Sequence, residues 1–157
     1  YFHTRIRRSA TGIFKLETID IRTENREASD MNWEIYPQGI FEALISLRKY
    51  GLPLYVTENG IATVNDHKRI RFLVAHLKEV YHAIQAGVDV RGYFHWALLD
   101  NFEWAQGYSK KFGLIEVQRY NFLTRFIRPS AYVYGQICRD NGLSEGLMKE
   151  YSLESGL

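Results

Sequence analysis

Residues 54–60 are Leu54-Tyr55-Val56-Thr57-Glu58-Asn59-Gly60, a short apolar run that ends in a carboxylate, an amide and a glycine. Leu54 to Thr57 is a short apolar, β-branched run directly after Pro53, which suits a strand buried on both faces. Gly60 lets the chain turn sharply after it. Downstream, Asp66 opens a long helix in which Ile70, Leu73, Val74, Leu77, Tyr81 and Ile84 recur at helical spacing, with Gly87 as its stop. A second aromatic, β-branched run follows from Val90 to Trp96. Upstream, Pro37 sits where a first helical position is expected, and Ile40, Phe41, Leu44 and Leu47 line a face until Gly51. A further strand is expected at Tyr1 to Ile6, followed by a basic, alternating stretch through Ile21 that reads as a hairpin or a long loop. A last helix is expected from about Ser130 to Asn141. The tail from Leu143 to Leu157 shows no clear periodicity and reads as partly frayed.

The order strand, helix, strand, helix, strand, helix implies right-handed βαβ crossovers and a parallel sheet. Such a sheet is covered on both faces or closed into a barrel. Three parallel strands are far too few for a closed barrel of eight. The chain has 157 residues, enough to bury about 70% of the surface its unfolded form exposes. Twenty basic against eighteen acidic side chains argue against a nucleic-acid stripe or a polybasic membrane anchor. No apolar run approaches the length of a membrane span. One cysteine, Cys138, forms no internal disulfide, builds no structural zinc site, and reads as a buried small hydrophobe on the last helix. No metal-ligand spacing appears among His3, His67, His76, His82 and His95, and no cofactor motif is present. With no secretory leader, a cytoplasmic location is expected.

Two constellations carry chemistry. Glu58 follows directly on its strand, and strand ends form the active-site face of parallel α/β barrels. A carboxylate there is placed to act as nucleophile or base, with Asn59 beside it to donate an amide to a ligand or to tie down the loop. The alternative reading is a helix-capping or loop-bracing carboxylate. The second constellation runs from Trp96 through Asp100-Asn101-Phe102-Glu103-Trp104 to Tyr108 and closes at Phe112-Gly113. It begins where a strand ends, so it is expected on the same face as Glu58. Aromatic faces stack on the apolar side of a sugar ring, and Glu103 offers two acceptor oxygens to hydroxyl groups. The alternative treats Leu98, Leu99, Phe102 and Trp104 as core filler in a long loop. Asp100 and Asn101 read as caps for local backbone.

Thr57-Glu58-Asn59-Gly60, the segment Trp96 to Trp104, and Met31-Asn32-Trp33-Glu34-Ile35-Tyr36-Pro37-Gln38-Gly39 together resemble the family 1 glycoside hydrolases, the β-glucosidase and β-galactosidase group. The resemblance implies an α/β fold, namely about strands six to eight of a (β/α)8 barrel, with residues 1–142 as the partial barrel and 143–157 as a C-terminal tail. It also implies a retaining mechanism in which Glu58 matches the nucleophile. Glu103 and Trp104 match residues that grip the sugar, Trp96 a platform beneath it, and Phe112 a wall of the same subsite.

Several positions depart from the family pattern. The Asn-Glu-Pro motif that carries the family's acid/base carboxyl group occurs nowhere in the chain. His3 stands where the family usually has a tyrosine that donates to the nucleophile, and a histidine titrates near neutrality. The loop between Gly60 and Asp66 is short, Gln118 replaces a common aspartate, and Val133 a common tryptophan. Three readings follow. The first is a β-glycosidase C-terminal portion, active on β-glycosides when an N-terminal barrel portion completes it. The second is a catalytically inactive sugar-binding module. The third is a self-associating half-barrel, because exposed strand edges favour association.

Overall fold

The computed structural model describes residues 26–151 and the backbone of residues 6–8 and 16–18. The expected first strand, Tyr1 to Ile6, lies outside these residues except for Ile6, as does His3. Ile6 instead opens β1 (Ile6–Arg8), which pairs antiparallel with β2 (Leu16–Thr18), the pairing that the hairpin alternative expects.

The centre of the structure is a parallel pair of strands flanked by helices. Its order is α1 (Gln38–Leu47), β3 (Leu54–Asn59), α2 (Asp66–Gln85) and β4 (Val90–His95). The parallel register runs from Leu54 opposite Val90 to Asn59 opposite His95, interrupted by two irregularities. α1 extends as a 3₁₀ turn, Arg48–Tyr50, before Gly51 ends it. α2 starts where the side chain of Asn65 accepts from the Lys68 amide at 3.1 Å, a standard N-cap, with Asp66 favourably placed in the first turn. It stops at Gly87, whose φ of +85° is left-handed and whose amide bonds back to Ile84.

The core between these elements follows from apolar spacing. Ile40 and Leu44 of α1 meet Val80 and Ala83 of α2 and Val88 ahead of β4, with Leu54, Val56, Val90 and Tyr93 packed against them. Burying each large aliphatic side chain contributes about 1.5–3 kcal/mol. The first half of the expected α2 stripe, Ile70, Leu73 and Val74, is buried, but in the second half Val80 and Ala83 take the inward positions. Tyr81 and Ile84 are exposed, while Arg69, Phe72 and His76 are buried. The opposite face of the strand pair stays open, with Tyr55, Phe94 and, just beyond β4, Leu98 all more than half exposed.

After β4 the chain forms a long excursion and then an antiparallel hairpin, β5 (Ile115–Gln118) with β6 (Thr124–Ile127), which the residue pattern did not indicate. α3 (Pro129–Asp140) follows, with proline in its first turn. Cys138 on α3 is exposed, which corrects the expectation that it is buried. The tail also has more order than its sequence suggests. Ser144 caps α4 (Glu145–Glu150) by accepting from the Leu147 amide, and the Tyr151 ring lies 5.3 Å from that of His67 on α2. No helix among the described residues is long and apolar enough to cross a membrane.

Candidate active site

Glu58 is the penultimate residue of β3, and its side chain is exposed at the strand's C-terminal end. Among the described residues nothing hydrogen-bonds to its carboxylate, so the loop-bracing alternative has no partner there. Asn59 behaves differently. The buried Tyr93 hydroxyl donates to Asn59 Oδ1 at 2.7 Å, which fixes the amide so that its NH2 group faces away from the tyrosine. Burial, followed by the nearby Tyr134, holds the Tyr93 hydroxyl well above the usual tyrosine pKa, so it remains a donor.

The strand end is joined directly to the second constellation. The amide of Trp96 donates to the carbonyl of Asn59 at 2.9 Å. Gly60 lies so close to Trp96 that a Cβ on residue 60 would sit 1.6 Å from the Trp96 carbonyl oxygen. The peptide between Trp96 and Ala97 is cis. Trp96 keeps about a third of its surface open, and the chain beyond it pairs with residues 112–115 through Ala97 N to Phe112 O and Leu114 N to Ala97 O.

The excursion turns tightly at its tip. Glu103 N donates to Gly107 O at 2.6 Å, and a 3₁₀ turn, Trp104–Gln106, fills the bend. Glu103 is partly exposed, and Trp104 is 83% exposed. Phe112 has a different environment: it is 3% exposed and packs with Ala62 and Ala97 against Met31 and Trp33, its ring 6.5 Å from that of Trp33. The structure therefore joins Glu58, Asn59 and Trp96 through one turn and puts Glu103 and Trp104 on one exposed bend. Phe112 lies beneath, in a small core, and His3 is outside the described residues.

Residues to which the sequence reading gave no site role hold the bend. Tyr108 packs edge-on against Phe102, their ring centres 5.2 Å apart, and the guanidinium of Arg119 lies 3.4 Å over the Tyr108 ring. Asp100 does more than cap local backbone. Its buried carboxylate accepts from Gly113 N at 2.9 Å and from both terminal nitrogens of Arg128, at 3.1 and 3.0 Å. Twenty-eight residues separate that pair, and no spacing rule reveals it. Arg69 is fully buried and ties the loop after Glu58 to Lys111. Its i,i+3 relation to Asp66 was the one sequence signal for that contact. Burial, and then the charge of Arg128, push Arg69 below the usual arginine pKa. Among the described residues no cluster of His, Cys, Asp or Glu forms a metal site.

Known proteins share this arrangement. The family model described as glycosyl hydrolase family 1 matches residues 4–143. A β-galactosidase from Sulfolobus acidocaldarius is 43% identical over 94% of this chain and 31% of its own length. β-Glucosidase A from Thermotoga maritima is 44% identical over 73% of this chain and 28% of its own length. Among solved structures, a β-glycosidase from Pyrococcus horikoshii superposes with a TM-score of 0.84 at 41% identity, over 99% of this chain and 36% of that one. The family 1 β-glucosidase from Thermotoga maritima gives 0.80 at 36% identity, over 90% and 34%. The chain thus spans about a third of the length of the relatives it matches, and its parallel strands and helices are part of their (β/α)8 barrel. With its family model covering most of the sequence and the strand-end carboxylate joined to an aromatic turn, this chain belongs to glycosyl hydrolase family 1.

Proposed function

We propose that the chain is the nucleophile-bearing portion of a retaining β-glycosidase, completed by the remaining barrel. The observation that supports this most directly is the bond from Trp96 N to Asn59 O, which sets the exposed Glu58 beside an aromatic platform at one strand end. In this reading a Glu58 oxygen attacks the anomeric carbon as the bond to the aglycone oxygen breaks, giving a covalent glycosyl ester. Water then cleaves the ester and releases the sugar with retained configuration. Glu103 accepts hydroxyl hydrogens, Trp104 and Trp96 stack on the ring, and Phe112 backs the turn. Asn59 presents its amide, and His3 stands at the sequence position of the family's tyrosine donor. The acid/base carboxyl group comes from the completing portion. Relatives named β-galactosidase and β-glucosidase support a β-glycoside as substrate.

An aryl β-glucoside with a strongly acidic phenol tests the reading, because such a leaving group needs little protonation. Release of phenol that disappears in Glu58→Gln supports it. Glucose protection of tryptophan fluorescence without turnover, lost in Trp104→Ala, supports a sugar-binding module instead. The open face at Tyr55, Phe94 and Leu98 favours a covering layer, supplied by the completing barrel portion or by a second copy. Sedimentation of the isolated chain separates these, since a stable monomer counts against self-association.

A further inference from the structure

Two loops that approach the candidate site converge on one guanidinium. Arg69, in the first turn of α2, has no exposed side-chain surface. Its Nη2 donates to the carbonyl of Thr63 and, at 2.9 Å, to that of Lys111, while Nη1 donates to Asp66 Oδ1. The Thr63 amide donates to the same Lys111 carbonyl at 2.9 Å. Asp66 is held in turn from α3, accepting from Ser130 N at 2.8 Å and from Ser130 Oγ at 2.7 Å. Thr63 lies in the short loop that follows Glu58. Lys111 closes the excursion whose tip carries Glu103 and Trp104.

We propose that Arg69 is a positioning residue that fixes the distance between the strand end bearing Glu58 and the bend bearing Glu103 and Trp104. Only an arginine fork reaches two carbonyls and a carboxylate at once; an ammonium is a single point with a different geometry. Arg69 touches no sugar and acts through the two loops. Its catalytic meaning rests on the glycosidase reading, but its geometric role does not, so the two fail separately.

Hydrogen exchange on the whole chain tests it through Arg69→Lys, which keeps the charge beside Asp66 and loses the fork. Exchange in peptides covering 61–65 and 108–113 is expected to rise together by about tenfold, with peptides covering 76–85 unchanged. In Arg69→Ala, added guanidinium is expected to restore protection of both loops, whereas sodium at equal ionic strength does not. If that variant fails to fold, the lysine variant decides. Loosening of one loop only, of neither, or of 76–85 along with both overturns the proposal. So does rescue by sodium. Glucose affinity, read from tryptophan fluorescence at a temperature where both proteins are folded, should fall in Arg69→Lys, and an unchanged affinity with loosened loops overturns the positioning role. A parent chain that ignores glucose refutes the sugar-site reading instead and leaves exchange to decide on Arg69.

Discussion

Gly60 and Trp96 are in backbone contact: residue 60 has no room for a Cβ because the Trp96 carbonyl occupies that position, 1.6 Å away. The obstruction is backbone and cannot rotate aside. Gly60→Ala is therefore expected to push the strand end and the aromatic turn apart and to destabilise the chain by about 1–3 kcal/mol. Urea unfolding measures the loss. The Trp96 emission maximum should shift in the native baseline as well, and an unshifted baseline would show that the turn absorbs the methyl elsewhere.

Trp104 and Phe112 are expected to respond in opposite ways to truncation. Trp104 is almost wholly exposed, so Trp104→Ala should change stability by less than about 0.5 kcal/mol. Phe112 fills the small core with Ala62 and Ala97, so Phe112→Ala should cost about 3–5 kcal/mol. Thermal melts of both variants check the contrast. Equal losses would mean the bend is packed in solution.

The Asp100–Arg128 pair predicts strong non-additivity. Both side chains are nearly buried, and removing one leaves the other's charge to weaker partners, Lys111 at 3.9 Å from Asp100 or Glu116 at 3.7 Å from Arg128. Asp100→Asn and Arg128→Met are each expected to cost about 3–5 kcal/mol, and the double variant distinctly less than their sum. Denaturant unfolding of the four proteins gives the coupling. Additive losses would place the carboxylate's main partner at the Gly113 amide.

Two histidines predict acid sensitivity. Burial lowers the pKa of His76 to about 4, and burial, then Arg69, lowers that of His95 to about 4. Both values lie below the unfolded value near 6.5, so between these limits the unfolded chain binds more protons. Stability should therefore fall as pH drops from about 6.5 to 4, by up to about 1.4 kcal/mol per pH unit for each ring, and the effect should level off below that window. His76→Phe, where the ring already stacks on Phe72, should flatten the slope, read from unfolding midpoints at several pH values.

The parts legible in the sequence were those governed by local periodicity and end signals. The α1 and α2 segments and the strands at Leu54 and Val90 follow from apolar spacing and from the end signals Pro37, Gly51, Asp66 and Gly87. Periodicity placed Ile70, Leu73 and Val74 in the buried stripe of α2 but missed Arg69 and His76, which are buried through hydrogen bonds that apolar patterns do not register. The β5–β6 hairpin was hidden because its turn uses Phe122 and Leu123 at φ of 49° and 56°, where glycine or asparagine would have signalled it. Glu58, Asn59 and Trp96 meet at the strand ends because Glu58 and Asn59 close one strand and Trp96 follows the other, which local pattern reveals. Phe112 was read as a wall of the subsite formed with Trp96 and Trp104, and its depth in the small core was not legible because side-chain type says nothing about depth. The Asp100–Arg128 and Arg69–Lys111 contacts are long-range, and only the folded chain brings them together.

The open face at Tyr55, Phe94 and Leu98 sets up a competition between reactions of different order. Self-adhesion through that face grows with the square of concentration. A covering layer tethered to the same polypeptide meets it at an effective concentration on the order of millimolar, whatever the dilution. Dilution therefore favours capture by a tethered layer, and crowding favours sticking. For a covering layer supplied as a separate molecule, the outcome depends on stoichiometry, and an excess of the partner protects this chain from itself.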